Sequence, residues 1–247
     1  MNFFQQQNFK DILNKMTIVD GWRVLEEHGL LALKSTAAIP LVNFVWGEIS
    51  NDNLALVKAF YGNCDFYWVL TKSQKESLDE VSYQHFHTSE EFPEMIMDIS
   101  SSQRRMDASP EVRVAKVLKP DELQLWTETA IATFGFAEND FKEFFYPLID
   151  IANCIPLLLY YKEKPAATAM IYCGSPVAGI YAMSTKPEFR RLGLGKAIVN
   201  ECLAIAKESN LNYAVLYASK DGQQLYEGMG FEISQVLYEY SFVAMSN

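Results

Sequence analysis

At 247 residues the chain is longer than a typical single domain, and one large domain or two small ones both fit. Its 49% hydrophobic and 21% charged residues exclude extended disorder, and no apolar run is long enough for a membrane span. A formal net charge of -10 disfavours nucleic-acid backbones and mildly favours a cationic partner such as a primary amine, although acidity also serves solubility alone.

The start, Met1-Asn2-Phe3-Phe4, has neither the basic beginning nor the apolar core of a signal peptide. The four cysteines, Cys64, Cys154, Cys173 and Cys202, form no C-x-x-C pair and read as buried free thiols of a reducing, cytoplasmic protein. Along the first hundred residues, 41–49 read as a strand, 53–61 as a helix and 65–70 as a buried strand. Residues 74–84 then read as a helix and 94–99 as a closing strand. His85 and His87 flank Phe86 without an evident third ligand, and His28 stands apart, so no metal site is expected.

A polar break from Ser100 to Pro110 divides the chain into residues 1–105 and 110–247. Beyond it, 112–117 alternate as a half-buried strand, and Pro120-Asp121-Glu122 open a helix carrying Leu123, Trp126 and Ile131 on its apolar side. A second helical run covers 139–149. Strands follow over 156–161, 166–173 and 177–184, then a helix over 196–207, a strand over 213–218, a short helix ending near Tyr226 and a last strand through Tyr238 and Tyr240.

The turn between the strand 177–184 and the next helix is Arg190-Arg191-Leu192-Gly193-Leu194-Gly195-Lys196. Its glycines allow a sharp turn and a close approach of an anion to the backbone. The helix that starts there offers unpaired N–H groups and its positive dipole end, and the arginines add phosphate-pairing charge. This is a pyrophosphate cradle in chemical character. A dinucleotide fingerprint is excluded because Ile198 stands where the third glycine belongs, and a Walker loop because Ala197 follows Lys196.

Arg190-x-x-Gly193-x-Gly195 resembles the coenzyme A motif of the GNAT superfamily of N-acetyltransferases. The lead-in Pro187-Glu188-Phe189-Arg190 and the downstream Leu225-Tyr226-x-x-x-Gly230-Phe231 are similar to that family's flanking signatures in the same order. The resemblance covers about residues 111–242. It implies an α/β (α+β) fold with a mixed, mostly antiparallel central sheet flanked by helices, here single or as a tandem pair. Residues 1–105 show a weaker pattern of the same kind, but Gly47-Glu48-Ile49-Ser50-Asn51-Asp52 replaces the cradle, and its two acids would repel a pyrophosphate. A degenerate first copy and an unrelated α/β cap both fit.

The resemblance further implies acetyl-CoA as cofactor and a primary amine, on a small molecule, peptide or protein, as acceptor. The amides of Leu192, Gly193, Leu194, Gly195 and Lys196, with Arg190 and Arg191, would grip the pyrophosphate. Met183, Ser184 and Thr185 would hold the pantetheine arm, on a strand splayed from residues 211–218. Ser219 stands where the family often has asparagine, and Tyr226 where it places the acid for the departing thiolate. Arg191 and Lys220 could reach the 3′-phosphate or could be solvated charges. The strand before the cradle lacks the carboxylate base that the family frequently has; Glu128, Glu138 and Asp140 are nearby acids, and no base is assigned. Acceptor choice is expected around residues 134–140 and where the two halves meet. A non-catalytic acyl-CoA sensor or interaction protein is the alternative, as is an α/β domain without cofactor.

Overall fold

Eleven strands of the described residues join one continuous sheet, and seven helices cover its faces. The structure, a computed structural model, describes residues 4–16, 21–36, 43–78, 86, 89–100, 109–174 and 176–242. The N-terminal half contains helix α1 (Phe4–Met16), strands β1 (Arg23–Glu27), β2 (Leu30–Lys34) and β3 (Phe44–Trp46), helix α2 (Asn51–Tyr61), strand β4 (Phe66–Thr71), helix α3 (Lys72–Glu76) and strand β5 (Ser89–Asp98). The C-terminal half contains β6 (Val112–Lys116), α4 (Pro120–Phe134), α5 (Glu138–Ile149), β7 (Cys154–Tyr161), β8 (Lys164–Gly174) and β9 (Val177–Thr185). A 3-10 turn (Pro187–Phe189), α6 (Leu194–Glu208), β10 (Tyr213–Tyr217), α7 (Gln223–Glu227) and β11 (Glu232–Phe242) complete it.

The second half follows the order expected from its sequence. Pro120 opens α4 at its first turn, and Gly135 closes it in the left-handed conformation, its N–H bonded to the Ile131 carbonyl. The first half departs more. Helix α1 and the β1–β2 hairpin are additional elements. Of the helix expected over 74–84, α3 covers only the beginning, and residues 79–85 lie outside the described residues, as do His85, His87 and most of the polar break. Strand β5 starts five residues before the expected Glu94, because its charged beginning, Ser89-Glu90-Glu91, pairs with Tyr240, Glu239 and Tyr238 of β11 rather than following an apolar rhythm.

The sheet order is β1-β2-β3-β4-β11-β5-β10-β9-β8-β7-β6. All neighbours are antiparallel except β3–β4 and β9–β10, which are parallel and joined by the crossover helices α2 and α6. The first half runs through two antiparallel pairings and the second through three, and each then makes a parallel crossover, a short helix and a final strand. The final strands are exchanged: β11 pairs with β4, and β5 pairs with β10, while β5 and β11 pair with each other at the centre. The parallel crossover, short helix and final strand thus occur twice along the chain.

Side chains alternate across the sheet, so each face has its own core. On one face α6 and α7 bury Ile198, Cys202, Tyr226 and Phe231 against β5 and β8–β10, and α2 buries Tyr61 against Phe66 and Trp68. The Tyr61 hydroxyl donates to the carbonyls of Leu33 (2.6 Å) and Phe44 (2.8 Å). On the opposite face α1, α4 and α5 bury Ile12, Trp126, Phe141 and Tyr172. The cysteines are all free, and burial pushes the Cys154 thiol up to about 12.

Glu239 on β11 lies directly across from Glu90 on β5. Burial first, and then the Glu90 charge, lift its carboxyl to about 7. A raised carboxyl pKa means that the ionised form costs stability above that pKa and that the cost disappears as pH falls towards the unfolded value. Glu239→Gln is therefore expected to melt at a higher temperature than the parent protein near pH 8, with the gap closing by about pH 5. Thermal melts across that range check it; a pH-independent gap would assign the effect to packing instead.

Candidate active site

Strand β9 and helix α6 meet at a turn whose backbone is unusual at two successive points. Arg191 has φ 62° and Gly193 has φ 76°. Gly193 caps α6 without any side-chain hydrogen bond, and the first helical bond runs from the Ala197 N–H to the Gly193 carbonyl. The preceding N–H groups of Gly193 to Lys196 therefore have no intrahelical acceptor and point out of the helix start. The corresponding helix of the first half is closed differently. Ser50 caps α2 by accepting from the Asn53 N–H (3.2 Å), and Asp52 places an acid in its first turn. One helix start is open to an anion and the other is closed by its own side chains.

The edge beside this turn is open as well. β9 and β10 pair only through Ala178 with Ala214 and Gly179 with Val215. Beyond that point β9 pairs with β8 alone, and β10 with β5, so residues 180–185 and the end of β10 diverge as a fork. A bulge at Ala182, with φ 49°, lies within the diverging stretch, its carbonyl accepting from Thr168 Oγ1 at 2.9 Å.

The structure brings most of the expected residues to this fork. Met183 and Thr185 are half-buried along it, whereas the Ser184 side chain is buried on β8, sharing a hydrogen bond with Thr168 (2.7 Å). The Thr185 carbonyl accepts from Arg190 Nε at 3.2 Å, tying the arginine to the strand end. Arg191, Leu192 and Gly193 are exposed, and Leu194 anchors the turn in the core. A Cβ on Gly195 would stand 3.1 Å from the Leu225 side chain and 3.8 Å from Thr185 Oγ1, so the cradle, α7 and the end of β9 converge there.

Tyr226 on α7 is 6% exposed, with its ring edge-on to Phe231. Burial, and then Cys202, push its hydroxyl well above the ordinary phenol value, so it holds its proton at any physiological pH. Ser219 and Lys220 are exposed beside α7, and Ser219 Oγ accepts from the Gly222 N–H (3.2 Å).

The acids near the α4–α5 loop are surface groups. Glu128 and Glu138 are exposed and both accept from Gln124; Glu138 also pairs with Lys142, which holds its carboxyl below the usual range. Asp140 is half-buried on α5. The buried acid is Glu94, which by sequence alone is only the first residue of an expected strand. It is 1% exposed on β5, directly across from Tyr217 of β10 and Gln235 of β11. Its oxygens accept from Ser234 Oγ (3.0 Å) and Gln235 Nε2 (2.9 Å), and burial raises its carboxyl. A signal was present: an acid inside the apolar run Phe92-Pro93-Glu94-Met95-Ile96-Met97. Tyr217 escaped for the opposite reason, as one aromatic in an apolar strand. Among the described residues no cluster of His, Cys, Asp and Glu could hold a metal ion.

The chain is similar to known proteins in family model and in fold. Residues 122–231 match the model of the Acetyltransferase (GNAT) family, a span that includes the fork, the cradle and Tyr226. A search of curated proteins gave no match. Among solved structures, a GCN5-related N-acetyltransferase from Kribbella flavida superposes with a TM-score of 0.70 at 16% identity, covering 94% of each chain. Another from Sphaerobacter thermophilus gives 0.70 at 9% identity, covering 100% of this chain and 91% of its own. A conserved protein of unknown function from Staphylococcus epidermidis gives 0.68 at 15% identity, covering 96% and 98%. At these identities the likeness is one of fold, and it extends across both halves. Residues 122–231 are an acetyltransferase domain of the GNAT family, set within a sheet that the first half of the chain completes.

Proposed function

We propose that the protein is an N-acetyltransferase that moves the acetyl group of acetyl-CoA to a primary amine while both are bound. The observation that carries this reading is the open start of α6 beside the fork of β9 and β10, inside the family-matched span. The uncapped N–H groups and the arginines suit a pyrophosphate, and the unpaired edge of β9 suits the amide-bearing pantetheine arm. Acetyl-CoA would supply the activated thioester. Residues Leu192 to Lys196, with Arg190 and Arg191, would hold its phosphates, the main chain of residues 183–185 the arm, and Ser219 its far side.

Tyr226 acts as general acid: its protonated hydroxyl gives a proton to sulfur as the C–S bond breaks. In this reading residues 110–247 carry the transfer chemistry and residues 1–105 shape the acceptor side. Four free cysteines suit a reducing compartment, the cytoplasm.

Calorimetric titration with acetyl-CoA, with NAD and ATP as controls, tests the reading. Saturable binding of acetyl-CoA alone is expected. If acetyl-CoA fails to bind, Arg190 to Lys196 is only a turn and the proposal is lost.

A further inference from the structure

Glu94 is a buried carboxylate for which no lysine, arginine or histidine partner exists among the described residues. Removing a carboxylate from water is costly, and two neutral donors offset only part of that cost. Such a group, kept beside a cavity, is a mark of function rather than of stability. The cavity is there, about 170 Å³ in volume, lined by the polar side chains of Glu94, Tyr217, Gln235, Thr71 and Gln74 and by Trp46, Val69 and Leu237. The Tyr217 hydroxyl is buried and makes no hydrogen bond. A carboxyl group without a cationic partner and a hydroxyl without a hydrogen bond thus share one cavity on the same face of the sheet.

The position of the cavity gives it a role. Tyr217 ends β10 two residues beyond its last pair with β9, so it stands where the fork opens. Strand β5 brings Glu94 to that place only because it is exchanged into the other half. The apolar walls come from β3, β4 and β11. The cavity is small, which suits a short acceptor.

Resting on the acetyltransferase reading, we propose that the acceptor is a short primary alkylamine whose nitrogen seats between Glu94 and Tyr217, with Glu94 taking the ammonium proton. Tyr217 positions the nitrogen by hydrogen bonding, and the alkyl chain lies along Trp46, Val69 and Leu237. The balance of the transfer is complete. Glu94 accepts one proton from the ammonium and passes it to solvent. The C–N bond forms and the C–S bond breaks, Tyr226 protonates the sulfur, and the nitrogen's surplus proton returns through solvent to Tyr226. One proton is released per turnover.

The test uses the full chain and a series of n-alkylamines from methylamine to dodecylamine. Thiol release is followed with acetyl-CoA, and binding of n-butylamine to the CoA-saturated protein is followed by calorimetry. We expect acetylation to be confined to the short end of the series and to fall away for longer chains, as a small cavity requires. Glu94→Gln should lower kcat/KM by about 10²-fold or more and abolish n-butylamine binding, with acetyl-CoA affinity unchanged. Val69→Phe, which fills the cavity, should move the preference to shorter amines; it carries the test if Glu94→Gln does not fold. The inference is overturned if the wild type binds no amine of the series. It is equally overturned if Glu94→Gln keeps its amine binding and kcat/KM, or if Val69→Phe leaves chain-length preference unchanged. Failure of acetyl-CoA to bind the wild type would instead remove the acetyltransferase reading, while n-butylamine binding to the protein alone, lost in Glu94→Gln, would still support the pocket.

Discussion

Tyr226→Phe is expected to lower kcat for amine acetylation by about 10²–10⁴-fold while acetyl-CoA affinity stays within about twofold. The substitution removes one hydroxyl and keeps the ring that packs edge-on to Phe231 at a centroid distance of 5.8 Å. The α7 backbone, tied by the Phe231 N–H to the Tyr226 carbonyl at 3.0 Å, is untouched. Fold and cofactor grip should therefore survive, and the loss should lie in the step where sulfur gains a proton. Steady-state rates paired with calorimetry separate the two quantities. A variant with wild-type kcat would make Tyr226 a packing residue beneath α6 and remove it from the chemistry.

Gly193→Val should weaken acetyl-CoA binding by about 10- to 100-fold, or about 1.4–2.8 kcal/mol. The cause is the backbone rather than a collision. No atom lies within 4 Å of a Cβ built at Gly193, but its φ of 76° is one that a β-branched residue adopts only at a cost. Valine would pull the turn towards an extended conformation and swing the N–H groups at the start of α6 away from their common direction. The control is Gly62→Val, also at positive φ with open space around it, but at the far end of α2. Both variants should lose thermal stability, and only Gly193→Val should lose the cofactor in calorimetry. Equal affinities in the two would place the phosphates elsewhere.

The second half of the fold is legible in the sequence because its elements obey local rules. Pro120 and Gly135 bracket α4, apolar alternation marks β6, and the cradle announces the start of α6. Local rules also show that the first half lacks a cradle: Ser50 and Asp52 are ordinary helix-start residues, and they close α2 in the structure. The acceptor side was not legible, because it depends on pairing between distant segments. Glu94 and Gln235 are 141 residues apart yet hydrogen-bonded, and only the exchanged position of β5 sets Glu94 opposite Tyr217. Helix α1 was hidden by its polar beginning, Gln5-Gln6-Gln7. Its fit to the sheet is set by single residues: Asn8 donates to the Val177 carbonyl (2.9 Å) and accepts from Tyr181 (2.7 Å).

The exchanged final strands have a consequence for the order in which the molecule can be made. A ribosome delivers the first half early, yet β4, paired on one side with β3, lacks its second neighbour until residues 232–242 emerge, the last strand of the described chain. During synthesis β5 has no stable place either, since both of its partners, β10 and β11, lie downstream. The nascent chain thus carries two long unpaired edges for most of translation, the condition under which strands find wrong partners. Folding of the whole is deferred to the end of synthesis, and a stall before residue 232 would leave neither half closed.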